Sequence, residues 1–293
     1  MRTQFENGPE TIKVKVKLTR SFTDNPDQGT PAGVVMDADK LSDKKILEIT
    51  QKLGFPESAF LQESDTDRTD FSIRLFSVKQ EVNSCVTATL AAAHVVMRER
   101  NSDKVTFETK IGVREISKTK EGVLLMKQPE VKFVEERKDR EKIANLLNIP
   151  AEKLGDLPIV LASAGTPKLL IPIRTLEDLF AIKPDLESIA KYCEETGARG
   201  FYPFTLETRN PDSDFHAPQF NPQDGIAEDP VTGVAAAALA AYLRKYGIIS
   251  KDKLVGEQGY IINTPGEIII EFEGQDLYVG GKVVDVGEIE MKV

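Results

Sequence analysis

Apolar and polar residues alternate in short runs along most of this chain. Ile12-Lys13-Val14-Lys15-Val16, Phe71 to Phe76, Val105 to Val113, Val123 to Met126 and Ile268 to Phe272 carry the period of two that predicts strands. Two stretches carry helical spacing with a glycine behind them, Asp43 to Leu53 before Gly54 and Leu186 to Thr196 before Gly197. Two more, Thr87 to Val96 and Thr232 to Ala241, are alanine-rich and apolar nearly all round. A helix without a polar face must be buried on most sides, and small side chains let strands approach it closely. Each half therefore reads as α+β, a barrel-like sheet wrapped around one central helix.

The elements also recur in order. Gly29-Thr30-Pro31 and Gly165-Thr166-Pro167 stand 136 residues apart, each ahead of an apolar run. The amphipathic helices follow, then short strands (Ser58 to Gln62, Gly200 to Thr205), then the alanine-rich helices, with Thr87 and Thr232 145 residues apart. A period this long means two pseudo-symmetric domains rather than a solenoid. The expected division is residues 1–128 and 129–279, with the linker near Gln128 to Arg137, where proline and charges interrupt the strand pattern. The charge run Glu135 to Lys142 reads as a solvated helix face with i,i+4 pairs.

Composition narrows the function classes. The 293 residues carry 38 Lys+Arg against 47 Asp+Glu, a net charge of −9, which provides no basic face for nucleic acid and no attraction to an anionic membrane. Met1 to Leu18 has no apolar signal core, and the longest apolar run, Val234 to Leu243, is about half of a bilayer span. A cytoplasmic location is expected. Cys85 and Cys193 make no disulfide framework, and with only His94 and His216 a histidine-rich metal cage is excluded. His94, inside an alanine-rich helix, reads as a hydrogen-bonded interior residue. His216 falls in a Pro- and Asp-rich loop without a second ligand nearby.

The starts of the two apolar helices are the places where chemistry can concentrate. Asn83-Ser84 precedes one and Glu228-Asp229-Pro230 the other, residue types suited to capping. First-turn N–H groups lack intrahelical partners and sit at the positive end of the macrodipole. If pseudo-symmetry points both starts into one cleft, the cleft is an anion site, and Gly233 lets an amide approach closely. No phosphate-binding glycine loop follows any strand, so a small carboxylate fits better than a polyphosphate.

The segment Glu228-Asp229-Pro230-Val231-Thr232-Gly233 resembles the signature of the phenazine-biosynthesis (PhzF-like) family. Gly29 to Val35, Glu57-Ser58-Ala59-Phe60, Ala88 to His94, Glu257-Gln258-Gly259-Tyr260 and Val279 to Val283 resemble its other motifs, in family order. The resemblance implies the diaminopimelate epimerase-like fold, with a last strand (about 280–293) returning to the first domain, and a homodimer without cofactor. It also implies a cofactor-independent isomerase that moves a proton at carbon on a small carboxylate-bearing metabolite in the interdomain cleft. By that likeness Glu57 matches the proton-shuttling glutamate and Asp229 its supporting aspartate. Cys85, Val86, Thr87, Thr232, Gly233 and Val234 would surround the substrate carboxylate.

Three positions depart from the family pattern: Val86-Thr87 replaces Gly-His, Val234 replaces a serine, and Pro218 stands where an arginine is common. They keep two alternatives open. One is a catalytically silent carboxylate-binding member; the other is a racemase- or epimerase-like enzyme using Cys85, whose thiol pKa a helix dipole would lower. Cys193, inside the helix Leu186 to Thr196, reads as core.

Overall fold

The computed structural model describes residues 12–293; the amino-terminal stretch read as lacking a signal core lies, up to residue 11, outside them. The strands of the first half hydrogen-bond in the spatial order Leu124–Lys127, Gly112–Lys118, Lys104–Thr109, Phe71–Ser77, Glu57–Gln62, Thr30–Val35 and Lys13–Ser21. Val283–Lys292 adds antiparallel outside Lys13–Ser21, with Lys13 opposite Lys292 and Ser21 opposite Val283. On the far edge Asp276–Gly281 pairs with Leu124–Lys127 and leads on through Gly266–Glu273 and Lys253–Gln258 to Phe215–His216. With Glu81–Val82 these make one 13-stranded sheet. A second sheet of six runs from Lys132–Arg137 through Ile159–Ser163, Pro167–Pro172, Phe201–Phe204 and Gln219–Asn221 to Ile226–Asp229.

Each alanine-rich segment is a central helix, Val86–Arg100 and Gly233–Lys245. Strand residues Val34, Ala59, Leu75, Phe107 and Met126 share one buried core with Val160, Leu170, Tyr202, Ile268 and Val279 and with both helices. Leu90 and Leu239 are fully buried in it, which stabilises the fold by about 1.5–3 kcal/mol apiece. Satellite cores lie under Asp43–Leu53 and Leu186–Thr196. Those two helices form as predicted: Ser42 and Asp185 cap their starts, and Gly54 (φ 66°) and Gly197 (φ 75°) end them in the left-handed conformation.

Several local expectations need correction. Val105 to Val113 is not one strand but two, joined at an exposed Lys110-Ile111 turn that Gly112 (φ 102°) completes. The charge run is not one helix: Lys132–Arg137 is an edge strand, and the helix begins only at Arg140. Charged side chains on a sheet edge discourage pairing with other chains, so they signal an edge strand as readily as a solvated helix. Ser84 and Asp229-Pro230 do not cap the central helices, whose N-caps are Cys85 and Thr232. His216 is not in an open loop: it is buried, with Nδ1 2.9 Å from Glu257 Oε2. His94 is hydrogen-bonded as expected but half-buried rather than interior, its Nε2 3.2 Å from Oδ2 of the partly exposed Asp285.

Candidate active site

Strand alternation sets the direction of Glu57. Ala59 and Leu61 lie in the core around the first central helix, whereas Phe60 faces the satellite core under Asp43–Leu53. Glu57, two positions before Ala59 at the strand's start, shares the helix-facing side. It pairs with Ala32 on one flank and Ser77 on the other. The first helix begins there, and its N-cap Cys85 has an extended backbone (φ −151°, ψ 117°). Its Sγ accepts a 3.4 Å bond from the Ala88 amide, and its carbonyl accepts from Thr89 Oγ1 at 2.6 Å.

The thiol of Cys85 joins the two lobes electrostatically. Burial pushes its pKa well above the ordinary value; the carboxylates of Glu57 and, less strongly, Asp229 push the same way, and the thiol hydrogen-bonds Glu57. This reverses the sequence expectation of a lowered pKa. The helix dipole and one amide contact are too weak to offset the desolvation of a thiolate beside two carboxylates.

Asp229 ends the strand Ile226–Asp229 and accepts a 2.5 Å hydrogen bond from Thr232 Oγ1. Gln258, fully buried, locks this turn. Its Nε2 donates to Asp229 O at 2.8 Å and Thr232 Oγ1 at 3.0 Å, while its Oε1 accepts from Thr232 N and the Tyr202 hydroxyl, both at 3.2 Å. With its hydroxyl engaged in this way, Thr232 makes no side-chain cap on the second helix. First-turn N–H groups there, at Gly233 and Val234, have no intrahelical acceptor and carry the positive end of the dipole. Gly233 packs against the Val86 side chain, so the two helix starts meet. Thr87 is buried, and its carbonyl accepts from Ser21 Oγ at 3.1 Å; Val234 is half-buried against the shared core.

Sequence reasoning missed Glu228 as a titratable group, having treated it as part of a capping segment. Burial, and then the Asp229 charge, pushes its pKa up to about 7. Its Oε1 is buried without a hydrogen-bond partner. The adjacency of two acids was the available signal. Two surface cavities of about 410 and 330 Å³ lie elsewhere; neither is lined by Glu57, Cys85 or Asp229. Among the described residues, no helix is long and apolar enough to cross a membrane.

The neutral Cys85 thiol, one carboxylate from each lobe and the two helix starts thus lie together where the central helices meet. Comparison with known proteins identifies the family. The family model described as phenazine biosynthesis-like protein matches residues 19–288. The uncharacterized isomerase YfhB of Bacillus subtilis is 32% identical over 267 residues, 88% of this chain and 90% of that one. The uncharacterized isomerase YddE of Escherichia coli K12 is 31% identical over 269 residues, 88% of this chain and 89% of its own. A crystal structure of a PhzF-family phenazine biosynthesis protein from Bacillus anthracis superposes with a TM-score of 0.87 at 26% identity, covering 96% of this chain and all of that one. A hydroxyproline epimerase from Agrobacterium vitis shares the fold, with a TM-score of 0.62 at 11% identity, covering 96% of this chain and 93% of that one. These likenesses support an isomerase of two pseudo-symmetric lobes, and the chain belongs to the phenazine biosynthesis-like (PhzF) family.

Proposed function

We propose that this protein is a cofactor-independent isomerase that moves a proton between carbon atoms of a small carboxylate-bearing metabolite, with Glu57 as the shuttle. In this reading the Glu57 carboxylate takes a proton from one carbon, breaking C–H as the electron pair enters the conjugated system. The resulting acid returns the proton to a second carbon. Asp229 orients the substrate, and the amides of Val86, Thr87, Gly233 and Val234 hold its carboxylate, beside Cys85 and Thr232.

The observation that carries the reading is the Cys85 thiol, on which carboxylates from both lobes act where the two helices meet. Proton transfer by a positioned carboxyl is worth roughly 10²–10⁴ in rate. Val86 and Val234, in place of glycine and serine, make the pocket tighter and more apolar, which points to a substrate different from that of the reference isomerases. The likeness to its family also carries the expectation of a cytoplasmic homodimer, which light scattering would test for mass.

The test is a thermal-shift screen of small carboxylic acids, followed by deuterium wash-in from D₂O for each hit. Glu57→Gln should abolish exchange at carbon while leaving affinity within about threefold. Exchange that survives the substitution overturns the shuttle, and hits that bind without any exchange in the wild type favour a silent binding protein. A second reading has the substrate carbon enter between Cys85 and Glu57, parting their hydrogen bond. Glu57 takes the proton from one face and the protonated thiol delivers hydrogen to the other, giving epimerisation; the thiolate then regains a proton from the Glu57 acid after product leaves. Cys85→Ser would then lose exchange as fully as Glu57→Gln does.

A further inference from the structure

The connector between the lobes borders a cavity of about 330 Å³, away from the candidate active site. Its walls are the connector itself, from Lys127 to Phe133, the last turn of the second central helix, and the hairpin from Phe272 to Leu277. That helix runs from Gly233, where the two helix starts meet, to Lys245 at the cavity. At about 1.5 Å per residue its ends stand about 18 Å apart, so a small molecule at one end does not touch the other. The volume lies at the lower end of the range for small-molecule sites, roughly 300–1,000 Å³.

Gln128 is the polar group of this cavity that calls for a partner. It is 6% exposed. Its backbone N–H donates to Leu277 O at 2.8 Å and its Nε2 to Met126 O at 3.1 Å, which pins the nitrogen end of the amide to the strand Leu124–Lys127. Among the described residues, nothing donates to its Oε1. An amide oxygen so removed from bulk water is normally hydrogen-bonded, and the cavity is the side from which a donor can arrive.

The charges around the cavity leave one cation in place for an anion. Lys127 and Asp276 pair at 2.6 Å, and Arg244, stacked 3.5 Å over the Phe272 ring, pairs with Asp252 at 2.7 Å. Lys245 pairs with no carboxylate among the described residues. Its ammonium lies over the Phe133 ring, 3.9 Å from the centre, where the ring quadrupole holds it without cancelling its charge. Glu130, the remaining acid of the wall, is exposed, where salt and water screen it.

We propose that this cavity is a second ligand site, for a small organic anion that carries a hydrogen-bond donor on an apolar body. Lys245 meets the charge, Gln128 Oε1 accepts from the donor, and Phe133 and Phe272 flank the body. The site does not depend on the carboxylate reading of the helix starts.

Near-isosteric probes test this. Dissociation constants of indole-3-carboxylate, benzofuran-3-carboxylate and indole-3-carboxamide would be measured by calorimetry on the wild type, Lys245→Met and Gln128→Met. The first probe has both features, the second lacks the N–H and the third lacks the charge. The wild type should bind the first at least about 10-fold more tightly than either of the others, because a buried acceptor or a cation is otherwise left unmet. Lys245→Met should bring the first probe level with the carboxamide, and Gln128→Met should bring it level with the benzofuran. Lys245 is exposed, so its substitution tests the site even if Gln128→Met does not fold. Failure of the wild type to bind indole-3-carboxylate overturns the inference, as does equal binding of the three probes. Binding that neither substitution changes also overturns it and places the probe elsewhere, at the helix starts.

Discussion

Val86 and Gly233, the first residues of the two central helices, stand in contact across the lobes. A β-carbon on Gly233 would lie 3.0 Å from Val86 Cβ and Cγ1 and 3.2 Å from Cγ2. This is tighter than side chains tolerate without a shift, and Val86, branched at Cβ, has little freedom to turn aside.

Gly233→Ala should therefore destabilise the protein although alanine is the better helix former. Helix propensity favours alanine by at most about 1 kcal/mol, whereas overpacking costs about 1–3 kcal/mol. The net expectation is a loss of about 1 kcal/mol in urea melts. In the Val86→Ala background the clash is gone and the same substitution should be neutral or stabilising. A double-mutant cycle reads the difference as coupling between the lobes; additivity within about 0.3 kcal/mol would show that the helix starts do not press on each other.

Glu228 should make stability fall as pH rises. Its folded pKa of about 7 lies above the ordinary value of 4.5. Between those values the folded state holds a proton that the unfolded chain has lost, so the penalty for ionising it grows through that window and is complete above about pH 7. After allowance for partial exposure, Glu228→Gln should stabilise the protein by about 1–2 kcal/mol at pH 8 and by nothing at pH 4. A gain that does not vary with pH would place the effect in packing instead.

The buried pair of His216 and Glu257 should be costly to break. Glu257 also accepts from the amides of Arg209 at 3.0 Å and Asn210 at 2.6 Å, which ties down the loop leading to Phe215–His216. Burial opposes its ionisation, but the His216 hydrogen bond and these amides outweigh that and hold its pKa below the usual range. Stability from this group is present above the ordinary glutamate pKa and lost as pH falls through the lowered one. Glu257→Gln should cost about 3–5 kcal/mol at pH 7. The gap from wild type should narrow on acidification below about pH 4, as followed by thermal melts.

The sequence made the architecture legible because its signals are local. Ser42 and Gly54 bracket one helix, Asp185 and Gly197 another, and an alanine run without a polar face has nowhere to go but inside. Motif order named Glu57 and Asp229, and the helix start named Cys85; burial and electrostatics were needed to show them together. What stayed hidden depends on partners far along the chain. Nothing near His216 announces Glu257, 41 residues away. The motif picks out Thr232, but not that it is the N-cap residue or that Gln258, 26 residues on, holds its hydroxyl. The direction of the Cys85 shift was misread because a dipole is visible in sequence and desolvation is not.

Lys13–Ser21 finds one of its two neighbours only in Val283–Lys292, some 270 residues later. During synthesis, at roughly 5–20 residues per second, that early strand waits with one side unpaired until nearly all of the chain has emerged. Pairings of such long range form slowly. The first lobe, although translated first, is thus completed only when Val283–Lys292 arrives to pair with Lys13–Ser21.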